Sequence, residues 1–406
     1  MELGNAFRVF SSRNYRYFFF GQLISRMGTW MQRTAVIWVV YTMTHSVLWV
    51  GITTFAEQFP SFILSPAGGI TADKYDRHKI VIVTQTVSAI QAILLTFIYA
   101  NGWHNIGILL SLSLLLGIAN AYDIPARQSM VNELVDSPDD LPGAIAMNSS
   151  LNNFARLAGP ALAGIAMATL GATFCFASNA ISFVAVIYCL IKLRLPHRDL
   201  TVKGSNIYQQ FKDGWLYVRK NEEISKILTL SALLCFLVTT YNTLQPYFAK
   251  DVFHGDAATY GYINTATGVG AFLSTFFIAS QKKGKSLKKI LLINMILLGV
   301  GLLMMSFVTK LPVYLFMCFV CGFGNMSAIP ICNTIIQTAS SDEMRGRSVG
   351  FFTMATMGTL PLGSIVVGFF AKHFSAQNCQ LVQGIICIII AFVFLPYLLR
   401  KPKNNL

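Results

Sequence analysis

The chain has 406 residues, 54% of them hydrophobic and only 12% charged, with a formal net charge of +14. Ordinary soluble domains carry roughly 25% charged residues, so a soluble enzyme of this length would lack the surface it needs. The excess of bases suggests nucleic acid only until their positions are considered.

Apolar runs near 20 residues recur along the whole chain, and about 20 residues at ~1.5 Å rise cross the hydrocarbon core of a bilayer. Lipid offers no partner to open backbone groups, so such runs must be helices. Twelve are predicted, at 15–43, 47–69, 80–100, 105–127, 143–168, 173–192, 226–249, 258–280, 290–308, 311–338, 349–371 and 378–398. The first is no cleavable signal peptide, because it is too long and carries Arg26 and Arg33 within it. With both termini cytoplasmic, the inner face holds 25 of the 31 Lys and Arg, and the outer face only Lys250, Lys310 and Lys372. That asymmetry is the positive-inside rule, so the bases signal orientation and no nucleic-acid partner is expected.

The linker at 193–225 is rich in Lys, Arg and Gln, contains Pro196, and reads as cytoplasmic with one surface helix at 207–220. It divides the chain into an N-terminal six-helix bundle (1–192) and a C-terminal one (226–406). The halves repeat: GIANAYDIP at 117–125 and GFGNMSAIP at 322–330 share Gly, Asn, Ile and Pro at an offset of 205. At an offset of 208, Lys74 and Arg77 fall on Lys282 and Lys285. Duplicated six-span halves around a substrate site are a common transporter design. GKS at 284–286 lacks the upstream glycine of a phosphate-binding loop, since position 279 is Ala, so ATP is not the expected energy source. Cys318 and Cys321 form a CxxC inside the tenth run with no second pair, and read as packing residues. The histidines are scattered, so no metal is expected.

Charges at bilayer depth cost about 2.5–3.5 kcal/mol each on insertion scales unless paired or wetted. Arg26, Arg33, Glu57 and Arg156 lie within runs, with Asp123 and Arg127 near an inner end. Gln22, Arg26, Thr29 and Arg33 share one helix face, as do Ser149, Asn152 and Arg156. Three arginines against Glu57 leave a cationic space suited to an anion. The C-terminal half offers no deep charge, only groups such as Tyr241, Asn242, Gln245, Asn264, Asn325 and Asn333. The cavity candidates are therefore Gln22, Arg26, Arg33, Asn152, Arg156, Tyr241, Gln245 and Asn325. The plainer readings put Arg33 at the outer surface, pair Arg156 with Glu57, and make the Asn residues interhelical glue. Glu57 is the only acid deep in a run and the first proton-coupling candidate, with Asp123 second.

Residues 68–79 read GGITADKYDRHK. Gly69, Asp73, Lys74, Arg77 and Lys79 resemble the loop of the major facilitator superfamily, G-x-x-x-D-[RK]-x-G-[RK]-[RK], with Asp76 where the pattern has Gly. GTWMQRTAVIWVVY (28–41), IPARQSMVNELV (124–135), NFARLAGPALAG (153–164) and RGR (345–347) are similar to its exporter branch, which holds bacterial enterobactin exporters and macrolide efflux pumps. The GPALAG segment resembles the antiporter motif, with Ala163 in place of a glycine.

The resemblance implies an all-α membrane protein with twelve transmembrane helices in two pseudo-symmetric six-helix bundles. It further implies proton-coupled export of a small molecule by alternating access, with the proton gradient in place of any cofactor, and the cavity residues make that molecule an amphipathic anion. The expected setting is the bacterial inner membrane, as a monomer with both termini cytoplasmic. The alternatives are a multidrug or macrolide pump and a lysophospholipid flippase. A lipid-modifying enzyme would need a nucleophile, acid pair or metal cluster at the interface, and the sequence supplies none. Physically, Gly69 would let two helices approach and Asp73 would cap a helix of the other half, where the dipole favours an anion. Arg77 would bridge to an acid at the inner end of the fourth span, with Asp123 the first choice. Gly69, Asp73, Lys74, Arg77 and Asp123 thus form the expected cytoplasmic gate. In the plainer reading Lys74 and Lys79 only hold topology, but Asp73 contributes nothing to that.

Overall fold

The computed structural model describes residues 8–195, 207–279, 287–341 and 343–399. Lys282 and Lys285, the second copy of the loop bases, lie outside them. Among the described residues the chain is helical throughout. The long helices are α1 (Arg13–Thr44), α2 (Val47–Lys74), α3 (Arg77–Ala100), α4 (Ile106–Met130), α5 (Leu141–Leu170), α6 (Ala172–Ile191), α7 (Ile207–Lys220), α8 (Glu222–Leu233), α9 (Ala257–Ala279), α10 (Leu287–Phe307), α11 (Leu311–Ala339), α12 (Arg345–Phe374) and α13 (Ala376–Leu398). The helix expected at 207–220 in the linker is α7.

Nine segments among the described residues are long and apolar enough to cross a membrane: α2, α3, α4 with its C-terminal turn, α6, the stretch Glu222–Val252, and α10 to α13. The runs expected at 15–43, 143–168 and 258–280 are also helices, α1, α5 and α9, but fall outside that set. The first two carry the polar stripes.

Short polar residues set the helix starts. Ser12 caps α1 by accepting from the Tyr15 N–H, and Asn105 caps α4. Asp76 caps α3, its Oδ1 accepting from the backbone N–H of His78 at 2.9 Å and of Lys79 at 3.3 Å. The departure from the loop pattern thus has a local cause: a carboxylate satisfies two orphan donors at a helix N-terminus, and a glycine would not. Tight helix-to-helix turns fall at His45, Gly171 and Ser375, all with positive φ.

By contacts the chain divides into two units. The first comprises Met1–His45, Ile52–Lys203 and Asp256–Gly261, the second Ser46–Gly51, Gly204–Gly255 and Tyr262–Leu406. In the first, α3 packs against α4 and α6, and α1 against α5 and α6. In the second, α10 packs against α11 and α13 in the same way as α3 against α4 and α6.

The repeated motif has the same job in each unit. A Cβ on Gly117 of α4 would lie 2.4 Å from the carbonyl oxygen of Glu57 on α2. One on Gly322 of α11 would lie 2.0 Å from that of Thr267 on α9. Only glycine permits backbones to touch like this, which is how apolar helices associate without a hydrophobic driving force.

The second unit carries one long irregularity. After α8 the chain runs through a wide π-type turn (Leu234–Val238), a tight 3₁₀ stretch (Thr239–Leu244), one α turn (Gln245–Tyr247) and a second π-type turn (Phe248–Val252). Pro246 lacks the N–H that would continue the ladder. A side chain repairs part of the damage: Gln383 Nε2 of α13 donates to the Leu237 carbonyl at 3.1 Å.

Candidate functional site

At the end of the first unit where α2 meets α3, Arg77 is the hub. Its side chain is 11% exposed. It donates to Glu133 Oε1 at 2.9 Å, to the carbonyls of Ala72 (3.1 Å) and Ser129 (3.2 Å), and to Asp73 Oδ1 at 3.4 Å. The expected bridge from Arg77 to Asp123 is therefore corrected: the acid is Glu133. Helix α4 runs on to Met130 and a further 3₁₀ turn (Val131–Glu133) delivers that carboxylate. Asp73 is 73% exposed, and its recorded contact is the i,i+4 pair with Arg77. Lys74 is exposed. The close approach is also corrected. A Cβ on Gly69 would meet nothing within 4 Å, whereas one on Gly68 would lie 2.2 Å from the Ala121 carbonyl of α4.

These geometries separate two effects. Asp73→Asn should change stability by less than ~1 kcal/mol, the ordinary worth of an exposed ion pair. Arg77→Gln should cost about 1.5–3 kcal/mol, because it strips a charged donor from Glu133 and two carbonyls. Thermal unfolding of the purified protein measures both. Equal losses would contradict the assignment of Arg77 as the hub.

Deeper in the unit, Asp123 and Arg127 are 4% exposed each. Arg127 Nε donates to Asp123 Oδ2 at 2.9 Å, while Thr84 Oγ1 (3.0 Å) and Gln85 Nε2 (2.8 Å) donate to Oδ1. Arg127 is thus no free base. It closes one turn of α4 and satisfies a buried carboxylate, with α3 supplying the other donors. Asp123 also lines a small cavity with Gln22, Arg26 and Thr29 of α1, Ser88 of α3 and Asn120 of α4. Its size is about that of one water molecule. Gln22 Nε2 and Gln85 Oε1 are buried without a hydrogen-bond partner among the described residues.

Farther along α1, Arg33 Nε lies 3.4 Å from Glu57 Oε2, with side chains 26% and 15% exposed. The pair at Glu57 is therefore with Arg33, not with Arg156, and Arg33 is not merely a surface base. Two guanidiniums approach the Trp30 ring, Arg33 at 5.3 Å and Arg156 at 6.0 Å from its centre. Arg156, Ser149 and Asn152 form an exposed stripe on α5, and Asn152 donates back to the Asn148 carbonyl at 3.0 Å. The count of three arginines to one acid becomes four to two once Arg127 and Asp123 are included.

In the second unit no Asp, Glu, Lys or Arg is among the buried described residues. Tyr241, Gln245 and Asn325 are buried there. Gln245 Nε2 reaches Thr267 Oγ1 at 3.3 Å, Thr239 donates to Asn325 Oδ1 at 3.0 Å, and Gln383 donates to Thr240 at 3.0 Å. The irregular stretch 234–252 therefore presents its hydroxyls and amide to α9, α11 and α13. All eight cysteines are free thiols, seven of them buried.

Sequence reasoning passed over Trp30, Thr84, Gln85, Glu133 and the pairing role of Arg127. For Arg127 the signal was present, since an acid and a base four apart on a helix are neighbours. For Thr84 and Gln85 nothing short of the α3–α4 register would have shown it.

A helical membrane chain with duplicated units, buried charges in the first and buried neutral polar groups in the second, has the makings of a transporter. The chain belongs to the transmembrane secretion effector family of the major facilitator superfamily, whose model matches residues 5–406. It is 28% identical over 399 residues to the staphyloferrin A transporter of Staphylococcus aureus, covering 96% of this chain and 98% of that one. It is 23% identical to the multidrug efflux pump Tap of Mycolicibacterium fortuitum, over 93% of this chain and 95% of the relative. It is 21% identical to macrolide efflux protein A of Streptococcus pyogenes, over 92% and 93%. In fold it is similar to a D-xylose-proton symporter (TM-score 0.73, 14% identity, 96% of this chain and 99% of the other). The nucleoside transporter NupG is similar too (TM-score 0.74, 15%, 96% and 100%). The protein is a membrane transporter of small molecules and not an enzyme.

Proposed function

We propose that the protein exports a small amphipathic anion of the siderophore type from a bacterial cytoplasm, driven by protons through alternating access. It would act as a monomer in the inner membrane, through twelve spans in two six-helix bundles (1–192 and 226–406) joined by the 193–225 linker, with both termini inside. One observation supports the anionic substrate: the membrane-depth helices of the first unit carry Arg26, Arg33, Arg127 and Arg156, and among the described residues at that depth the acids are Glu57 and Asp123. Guanidiniums stay charged at any working pH, so the region keeps a positive excess that an anion relieves. The siderophore class is supported by the staphyloferrin A transporter among the relatives.

Asp123 has three donors on it and serves as a structural clamp, whereas Glu57 has a single, longer contact with Arg33. The proton therefore travels on Glu57. Within the first unit, Arg26, Arg33 and Arg156 with Trp30 and Gln22 receive the anionic part. Asn152 lies on the same face of α5 as Arg156. Arg77 and Glu133, with Asp73 and Lys74 beside them, form the cytoplasmic gate.

Replacing Arg26 or Arg156 by Gln should weaken binding of a catecholate siderophore by about 1.5–3 kcal/mol, the range for a hydrogen bond to a charged group. Binding of a cationic dye should stay level or rise. A multidrug reading is favoured by the Phe55–Phe59 stack on α2, with ring centres 4.3 Å apart and Phe62 next in line. Such a face suits flat cations. If the dye binds wild type more tightly, and the arginine changes weaken the dye alone, that reading takes first place.

A further inference from the structure

Helix α7 is built the wrong way round for a helix lying in water. Apart from Val218, the residues it turns to the rest of the second unit are small or polar. Gly214 and Val218 are buried, with Asp213 and Tyr217 half-buried beside them. A Cβ on Gly214 would lie 3.0 Å from the Phe351 ring and 3.2 Å from Arg347 Cβ, so α7 sits hard against α12. Asp213 is 3.9 Å from Arg347, and the Tyr217 hydroxyl accepts from the Ser341 N–H at 3.0 Å. Its outward face carries the bulk: Phe211 is 49% exposed, Trp215 48% and Leu216 44%. Phe211 and Trp215 touch Phe351 only in part, with ring centres at 5.0 and 5.8 Å.

Three bases interleave with those apolar residues. Lys212, Arg219 and Lys220 are all exposed, and between Phe211 and Lys220 the single acid, Asp213, is turned inward toward Arg347. A single residue, Asn221, separates the helix from Glu222, the first residue of the membrane-crossing stretch Glu222–Val252. Chain connectivity therefore holds its C-terminal end at a bilayer boundary. Aromatic and aliphatic side chains interleaved with bases, on a helix at that depth, match the interfacial helix that lies in the headgroup layer. There the apolar parts enter the acyl boundary while the bases stay at phosphate level.

We propose that the outward face of α7 (Phe211, Lys212, Trp215, Leu216, Arg219 and Lys220) is a binding surface for the anionic phospholipids of the adjoining leaflet. Through Asp213–Arg347 and Tyr217–Ser341 it ties the start of α12 and the end of α11 to that lipid surface. The anchoring needs only that the chain spans a bilayer, and does not depend on which substrate is carried.

The test uses the full-length protein in nanodiscs. Subtracting the emission of Trp215→Phe from that of wild type isolates Trp215. In discs containing phosphatidylglycerol, that difference emission should lie to the blue of its position in denatured protein. It should be quenched by phospholipids brominated near the headgroup and spared by aqueous iodide. In the triple variant Lys212→Gln, Arg219→Gln, Lys220→Gln, whose insertion is checked by size-exclusion profile, bromolipid quenching should fall and iodide quenching rise. The loss should be larger in phosphatidylglycerol discs than in phosphatidylcholine discs. Three outcomes would overturn the proposal: Trp215 quenched by iodide and not by bromolipid, quenching indifferent to lipid charge and to the three bases, or Trp215 shielded from both quenchers, which would point to a protein partner.

Discussion

Asp123→Asn should destabilise the protein by about 3–5 kcal/mol, the cost of leaving a buried charge without its counter-ion. Arg127 is 4% exposed, and its recorded partner is the Asp123 carboxylate at 2.9 Å. The neutral amide removes the charge and turns a donor toward Thr84 or Gln85, which already donate to that position. Arg127→Gln should be nearly as damaging, because the carboxylate would keep only its two neutral donors. The double variant should recover a large part of the loss, since a buried pair replaced by neutral groups is often tolerated when removal of one member is not. Melting of the three variants in detergent gives the coupling directly. If both single variants melt with wild type, Asp123 is no clamp and becomes free to serve as the proton carrier.

Glu57→Gln should abolish uphill transport while sparing substrate binding and downhill exchange. Glu57 faces Arg33 at 3.4 Å with both side chains partly accessible, and under the proposal it is the residue that carries the proton. The Gln variant cannot cycle. Accumulation against a gradient should fall to that of protein-free liposomes, and exchange of labelled for unlabelled substrate should persist. Retained uphill transport would move the proton elsewhere.

The helices were legible because bilayer length and apolar runs leave one backbone solution, and the repeat glycines because no other residue lets backbones meet. Legibility stopped at the pairings. The apolar pattern ends the fourth run at 127, yet Arg127 turns inward to Asp123 and the helix continues until Glu133 meets Arg77. Whether Arg33 or Arg156 would reach Glu57 depended on the rotation of α1 and α5 about their axes. A list of charged positions does not contain that rotation. Gly69 matched a loop pattern while its neighbour Gly68 makes the contact, a one-residue difference that only packing decides. The irregular stretch 234–252 left one mark, Pro246, and the polar groups it gathers are uncharged.

The central claim is that protons drive an anion outward, and transport by the purified protein in liposomes tests it most directly. Vesicles are loaded at acid pH and diluted into alkaline buffer containing either a catecholate siderophore or a cationic dye. Protein inserted with its cytoplasmic face outward should concentrate the siderophore inside, a protonophore should abolish the accumulation, and the dye should be moved far less. Accumulation of the dye with the siderophore left at its equilibrium level would contradict the account.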